Sequence, residues 1–230
     1  MKNSKDEHIM ETEFFRTHNP EDAKFIYKIG QNLLFTPKMY STAIPEERKR
    51  YANSGFVIGN HEIQVVENWI KDKRNVIILG NYKNTPTQPN IFAYSLLLGD
   101  DKIIDQVQKY AEDISFCSEK ARTVINSRDF MYLIQIGISP SYHNLGYGSQ
   151  LFQAGFSSTS CPIISFVIKS PIHNYPSLYA HLKNGYEYMG DYTGKYDQFD
   201  NYRSVGLIYY PNSTLPTKEE LKIKFQKALL

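Results

Sequence analysis

Apolar residues recur at helical spacing in several stretches of the chain. Ala23, Ile26, Gly30 and Leu33 make one stripe, Ile63, Val66, Trp69 and Ile70 a second, and Leu221, Phe225, Ala228 and Leu229 a third near the C-terminus. Between them run short β-branched and aromatic segments at 75–82 and 90–98, joined by the turn-rich link 83–89 as hairpin partners. Segments 130–139 and 161–168 are almost continuously apolar, the pattern of strands covered on both faces. A helical stretch at 146–157 lies between these two, so strand, helix and strand form a right-handed parallel crossover. A further helix is expected at 174–184, after Pro176, followed by late strands at 186–192 and 203–210.

Local start signals agree with the periodicity. Asn19-Pro20-Glu21-Asp22 supplies a cap, a first-turn proline and two acids for a helix over about 20–34, and Asn60 is placed to cap the second. Thr217 and Glu220 form a capping box for a C-terminal helix over about 217–230. Ile103, Ile104, Val107, Tyr110, Ala111 and Ile114 share one helical face, which reads as a helical insertion at about 100–129. The order of elements predicts an α/β fold, and the lack of repeats or a low-complexity linker favours one domain over residues 1–230.

Charge narrows the functional classes. The chain has 230 residues and a formal net charge of +2, too balanced for binding nucleic acid through bulk charge. No apolar run approaches the roughly 20 residues of a membrane helix, and the charged stretch 1–10 has no apolar signal core. Cys117 and Cys161 stand 44 positions apart with no CxxC, which fits inert thiols in a reducing cytoplasm and not a disulfide framework or a zinc site.

The segment with specific chemistry is Ile136 to Gly148, IGISPSYHNLGYG. Pro140 ends the strand, and the chain turns through Ser141, Tyr142, His143, Asn144 and Leu145 to Gly146 and Gly148 at the mouth of a helix. Glycines there let backbone N–H groups approach a ligand, and a helix N-terminus favours an anion such as phosphate. Two glycines entering a helix can equally serve packing alone. The sequence lacks the Gly-Lys-Ser/Thr of a nucleotide P-loop, and no Asp or Glu follows at the distance a dinucleotide fingerprint requires.

The arrangement resembles the GCN5-related N-acetyltransferase (GNAT) superfamily. Its acetyl-CoA motif, roughly I-x-V-x-P followed by Arg/Gln-x-x-Gly-x-Gly/Ala, corresponds to Ile136-Gly137-Ile138-Ser139-Pro140 and His143-Asn144-Leu145-Gly146-Tyr147-Gly148. Asn174 and Gly185-Tyr186 match the family's later asparagine-initiated helix. The resemblance covers about residues 130–192 in motif detail. It implies a mixed, mostly antiparallel sheet with helices on both faces, whose central parallel strands splay to hold acetyl-CoA. The pantetheine arm would pair with the backbone of Ile136, Gly137 and Ile138, and the pyrophosphate would sit on the amides of His143 to Ser149, with Asn174 also in the cofactor site. Gly137 within a strand independently suggests a bulge or a close backbone approach, the other reading being plain packing against a bulky neighbour.

The implied activity is direct transfer of an acyl group from acetyl-CoA to an amine of a small molecule or protein, with the Ile138 N–H polarising the thioester carbonyl. The chain also departs from the family pattern. His143 stands where Arg or Gln is usual, as a weaker phosphate partner. The thiolate-protonating tyrosine of the family falls on His181, with Tyr179 two residues earlier; these positions point about 200° apart on a helix, so at most one faces the cofactor. A histidine can act as general acid near neutrality. The family's strand glutamate is replaced by Ile134, next to Gln135, leaving the base open between water, a residue outside the motif and an amine that arrives neutral. Asp191, Asp197 and Asp200, among Tyr188, Tyr192, Tyr196, Phe199 and Tyr202, could attract a cationic acceptor or form a solvated loop. The missing glutamate also leaves room for a catalytically weak or inactive acyl-CoA sensor of the same fold, and the tyrosine-rich surface for an assembly protein. The state is read as monomer or homodimer, without nucleic-acid or membrane partners.

Overall fold

A computed structural model of the chain describes residues 11–83, 90–194, 199 and 202–230. The link at 84–89 and the candidate residues Tyr196, Asp197 and Asp200 lie outside this set. Within it, one eight-stranded sheet runs β1 (Thr12–Arg16), β2 (Val76–Tyr82), β3 (Asn90–Leu98), β5 (Met131–Ile138), β6 (Ile163–Ser170), β8 (Arg203–Tyr209), β7 (Glu187–Thr193) and β4 (Ile114–Phe116), in that spatial order. Every neighbouring pair is antiparallel except β5 and β6 at the centre. The mixed α/β architecture expected from the order of elements is the one observed.

Helices cover both faces. On one side α7 (Tyr147–Phe156), α8 (Tyr175–Lys183) and α9 (Lys218–Leu229) close over Leu133, Val167, Val205 and Leu207. On the other lie α1 (Ala23–Leu33), α3 (Pro45–Ser54), α4 (Ile63–Lys71), α5 (Asp101–Ala111) and α6 (Glu119–Ser127), packed on Leu79, Leu96, Ile164 and Ile208. Caps form largely as the sequence implies: Asn19 accepts from the Glu21 N–H, Asn174 from the Ser177 N–H, and Thr217 and Glu220 close their reciprocal box.

The structure differs from the sequence reading in four places. The segment 100–129 is not a single helix: the chain leaves α5 after Ala111, and Ile114, read as a helix-face residue, instead pairs with Tyr192 and adds β4 to the sheet edge. Asn60 does not cap α4; Glu62 occupies that position, and the Asn60 Nδ2 is buried without a partner. The short α2 (Pro37–Thr42) and α3 were not expected, because α3 buries only Ala52 and α2 buries nothing, so neither shows an apolar stripe. Their legible signals were the prolines at the first turn and, for α2, the Thr36 side chain capping the Met39 N–H. Edge strand β1 went unread because all five of its residues are half-buried.

Candidate active site

The central parallel pair is bonded only at its base. Met131 is opposite Ile163 and Tyr132 opposite Ile164, after which the register ends. At the point of divergence, Ser165 Oγ donates to the Leu133 carbonyl at 3.1 Å. Beyond it each strand keeps one partner and opens on the other edge: Gln135 to Ile138 stay paired with β3, while Ser165 to Ser170 stay paired with β8. A β-bulge sits at the start of this split. Leu96 faces Gln135 and Leu97 faces Leu133, which leaves Ile134 as the extra residue of β5.

The bulge is therefore at Ile134 and not at Gly137. Gly137 has a packing reason instead: it lies opposite Tyr94, and a Cβ there would meet the tyrosine ring at 2.6 Å. Backbone polarity on the open edge follows from the ladder. Ser139 donates its N–H to the Phe92 carbonyl at 2.8 Å. N–H groups of successive strand residues point to opposite edges, so Gly137 also faces β3, while Ile136 and Ile138 direct theirs into the split.

Past Pro140 the chain reaches the mouth of α7 through two left-handed residues, Asn144 at φ 64° and Gly146 at φ 84°. Asparagine and glycine are the residues that tolerate this conformation. Nothing lies within 4 Å of a Cβ built on Gly146, and one built on Gly148 meets only the Ile138 side chain at 3.7 Å, so neither glycine is imposed by internal crowding. His143 and Ser149 spend their N–H groups on the Pro140 and Gly146 carbonyls, at 3.2 Å each. Among the described residues, the amides of Asn144, Leu145, Gly146, Tyr147 and Gly148 find no acceptor. Five successive free donors at a helix N-terminus form a cradle for an anion.

The side chains around this loop are mostly structural. The His143 Nε2 lies 2.8 Å from the Ile138 carbonyl, which can only accept; the imidazole thus donates to the end of its own strand and is not offered to a phosphate. Tyr147 packs against Phe14, Phe92 and Tyr82, and only its amide faces the mouth of the helix. Asn174 caps α8 through Oδ1, and its Nδ2 donates to the Phe56 carbonyl at 2.7 Å, so each end of the amide is already engaged.

A cavity of about 330 Å³ passes through the split in the sheet. Asn174, Ser177 and His181 of the α8 side line it, as do Ile134, Gln135 and Ile136 of β5, and Phe56, His61, Gln106, Tyr110, Tyr192 and Tyr202 from the opposite side. The two candidate acids separate cleanly. Tyr179 is 47% exposed on the outer face of α8, against Phe225 of α9, and is not part of the cavity wall. His181 is 2% exposed and lines the cavity, its ring held edge-on between Phe152 and Tyr186, each 4.9 Å away.

The chemistry of His181 nevertheless differs from a general acid. Burial lowers its pKa to about 4, so the ring is neutral at pH 7. Its Nδ1 is 2.7 Å from the Ser177 carbonyl, which places the proton on Nδ1. The Nε2 is then a bare lone pair, buried and without a protein partner. Such a group accepts a hydrogen bond or a proton but has none to give.

Asp191 is also committed elsewhere. It accepts from Lys169 Nζ at 2.7 Å, Arg203 Nη2 at 3.1 Å and the Tyr188 hydroxyl at 3.2 Å, with its side chain 14% exposed. Cys161 is 3.4 Å from Asp129, and burial pushes its thiol above the usual range, so it stays protonated and unreactive. His61 and Gln135 line the cavity as well, though neither stands out in the sequence. Gln135 donates to the Gly59 carbonyl at 2.6 Å and accepts from the Tyr94 hydroxyl at 2.6 Å, tying the His61 loop to β5 beside the bulge. No local pattern marks these residues, because their meaning depends on a contact across 76 positions.

The sheet order, the single splayed parallel pair and the glycine-lined helix mouth define the GNAT fold. In overall structure the chain is similar to the ribosomal-protein-S18-alanine N-acetyltransferase of Escherichia coli, at TM-score 0.52 and 10% identity over 90% of this chain and 98% of that one. It is also similar to Arabidopsis thaliana NAA60 in complex with acetyl-CoA, at TM-score 0.57 and 13% identity over 88% and 100% of the two chains. A third similar structure is a putative GNAT-family acetyltransferase from Desulfovibrio desulfuricans, at TM-score 0.52 and 10% identity over 87% and 99%. No protein-family model and no curated protein matches the sequence.

Proposed function

We infer that the protein is an acetyl-CoA-dependent N-acyltransferase that transfers the acyl group directly to an amine. The observation that carries this reading is the pairing of two donor arrays: the Ile136 and Ile138 amides on the open edge of β5, and the five free amides from Asn144 to Gly148 above them. The first suits an extended amide-bearing arm and the second a diphosphate, which are the two parts of coenzyme A that need backbone donors. Similar structures that contain acetyl-CoA or a bisubstrate analogue support the same cofactor.

Acetyl-CoA supplies a thioester carbonyl open to attack by an amine. The Ile138 N–H, fixed by the strand ladder, is a preorganised donor for the carbonyl oxygen. His143 donates to the Ile138 carbonyl and so anchors the neighbouring peptide unit, the one that follows the Ile138 N–H along the strand. His181, on the cavity wall, has an unpartnered acceptor in Nε2; a neutral imidazole that receives a proton from the attacking nitrogen can return it to the departing sulfur. The alternative, an acyl-CoA sensor without turnover, draws on the absence of Tyr179 from the cavity wall.

Gly148→Ala tests the cradle directly. Its Cβ has room within the protein, so melting should be unchanged, while the stabilisation conferred by CoA should fall at least tenfold in apparent affinity. Gly146→Glu should abolish CoA binding. Normal CoA binding by both variants would refute the placement, and a CoA-induced melting shift with no transfer to a broad amine panel would select the sensor.

A further inference from the structure

The half of the cavity that faces α5 is chemically distinct from the half under α8. Tyr110, Tyr132, Phe166, Tyr192 and Tyr202 form a connected run of rings, with successive centroids 5.1 to 6.2 Å apart at tilted or edge-on angles. All five line the cavity, and Phe56 joins them from the segment after α3. Among the described residues, no Asp, Glu, Lys or Arg lines it. On this side the wall also holds Ser204, whose Oγ is fully buried with no partner, as the His181 Nε2 is on the other. An unsatisfied buried hydroxyl on a cavity wall marks a place where a ligand or a water completes the bonding.

His61 stands on the rim of this chamber. Its ring packs edge-on against Trp69 at 4.7 Å, and its loop is pinned to β5 by the Gln135 bond to the Gly59 carbonyl. Neither ring nitrogen has a hydrogen-bond partner among the described residues, and the side chain is only partly buried. The other titratable groups on the cavity wall are the tyrosines named above and His181. Glu62, next in sequence, is exposed.

We propose that this aromatic chamber is the acceptor site, that it takes an amine borne on an aromatic or similarly planar apolar group, and that His61 is the base that removes the ammonium proton. The inference rests on the acyltransferase reading above. Rings arranged in a box bury a planar apolar body well and attract the ammonium it carries. Desolvation lowers the His61 pKa below 6.5, so the ring is neutral at pH 7 and able to accept. The balance is simple. The ammonium proton passes to a His61 ring nitrogen and then to solvent. The freed lone pair forms the C–N bond, the C–S electron pair leaves on sulfur, and the second proton lost from nitrogen ends on that sulfur. His61 thereby fills the role left open when Ile134 replaced a strand carboxylate.

The first test needs no cofactor. NMR titration of the histidine ring protons with 2-phenylethylamine and with spermidine should show phenylethylamine, and not spermidine, shifting the His61 signals and pKa. Phe166→Ala should weaken this at least tenfold. In turnover assays His61→Gln should lower kcat at least a hundredfold for 2-phenylethylamine, with CoA binding unchanged. The acid limb of the wild-type pH profile, with its midpoint below 6.5, should disappear in that variant. Preference for spermidine, or full activity in His61→Gln with the acid limb intact, would overturn the inference while leaving the acyltransferase reading in place. Loss of CoA binding in the wild type would instead remove the acyltransferase reading, with phenylethylamine binding still deciding the chamber.

Discussion

His181 donates from Nδ1 to the Ser177 carbonyl at 2.7 Å, and this bond determines which nitrogen carries the proton. The proton is fixed on the helix side, so Nε2 carries the lone pair and is buried without a partner. An unfolded histidine protonates below about 6.5, whereas His181 in the folded chain stays neutral down to about 4. Within that window the unfolded state binds the extra proton.

Stability contributed by the neutral ring is therefore complete above pH 6.5 and is lost as pH falls towards 4, by about 1.4 kcal/mol per pH unit of the window and on the order of 3 kcal/mol in all. His61 and His173, whose pKa values burial also lowers, add to the same trend. Chemical denaturation of the wild type and His181→Phe at pH 7, 5.5 and 4.5 measures it. The variant should show a markedly flatter decline, and an identical slope in both proteins would mean that His181 titrates normally.

Gly137 and Tyr94 should behave as a coupled pair. A methyl at position 137 would sit 2.6 Å from the Tyr94 ring, which is itself fully buried and bonded through its hydroxyl to Gln135. Gly137→Ala is expected to destabilise by about 1–3 kcal/mol through overpacking. A double-mutant cycle with Tyr94→Leu should recover at least half of that loss, because the smaller side chain vacates the space. Additive effects would show that Gly137 serves another purpose.

Asp191 is expected to matter for stability before recognition. It neutralises Lys169, whose side chain is 6% exposed, so Asp191→Asn leaves a buried ammonium without its counter-charge. A loss of about 3 kcal/mol is expected, with partial recovery when Lys169→Met is added. Unchanged melting together with a raised KM for amines would return Asp191 to the acceptor role considered from sequence.

Much of the fold could be read without coordinates because its signals are local. The apolar runs of β5 and β6, the Pro140 stop, the Gly146 and Gly148 pair and the caps at Asn19, Asn174 and Thr217 each act within a few residues of themselves. Those features determined the crossover, the helix mouth and the likeness to the GNAT fold. Segments without an apolar stripe, α2 and α3 above all, carry no signal beyond their start residues, because their helicity rests on first-turn prolines and on the neighbours they meet.

Sequence alone placed His181 and Tyr179 on opposite sides of one helix, since the turn angle of a helix is fixed. Only tertiary structure decided which of them faces the cavity, and only burial decided that the inward residue is an acceptor and not an acid. The same holds for His143, whose ring turns back on the Ile138 carbonyl, and for His61, whose loop is tied to the cavity wall by Gln135 on a distant strand. Spacing along the chain sets direction over a turn or two; proton position and pKa are set by what packs around a side chain, and that is a property of the folded interior.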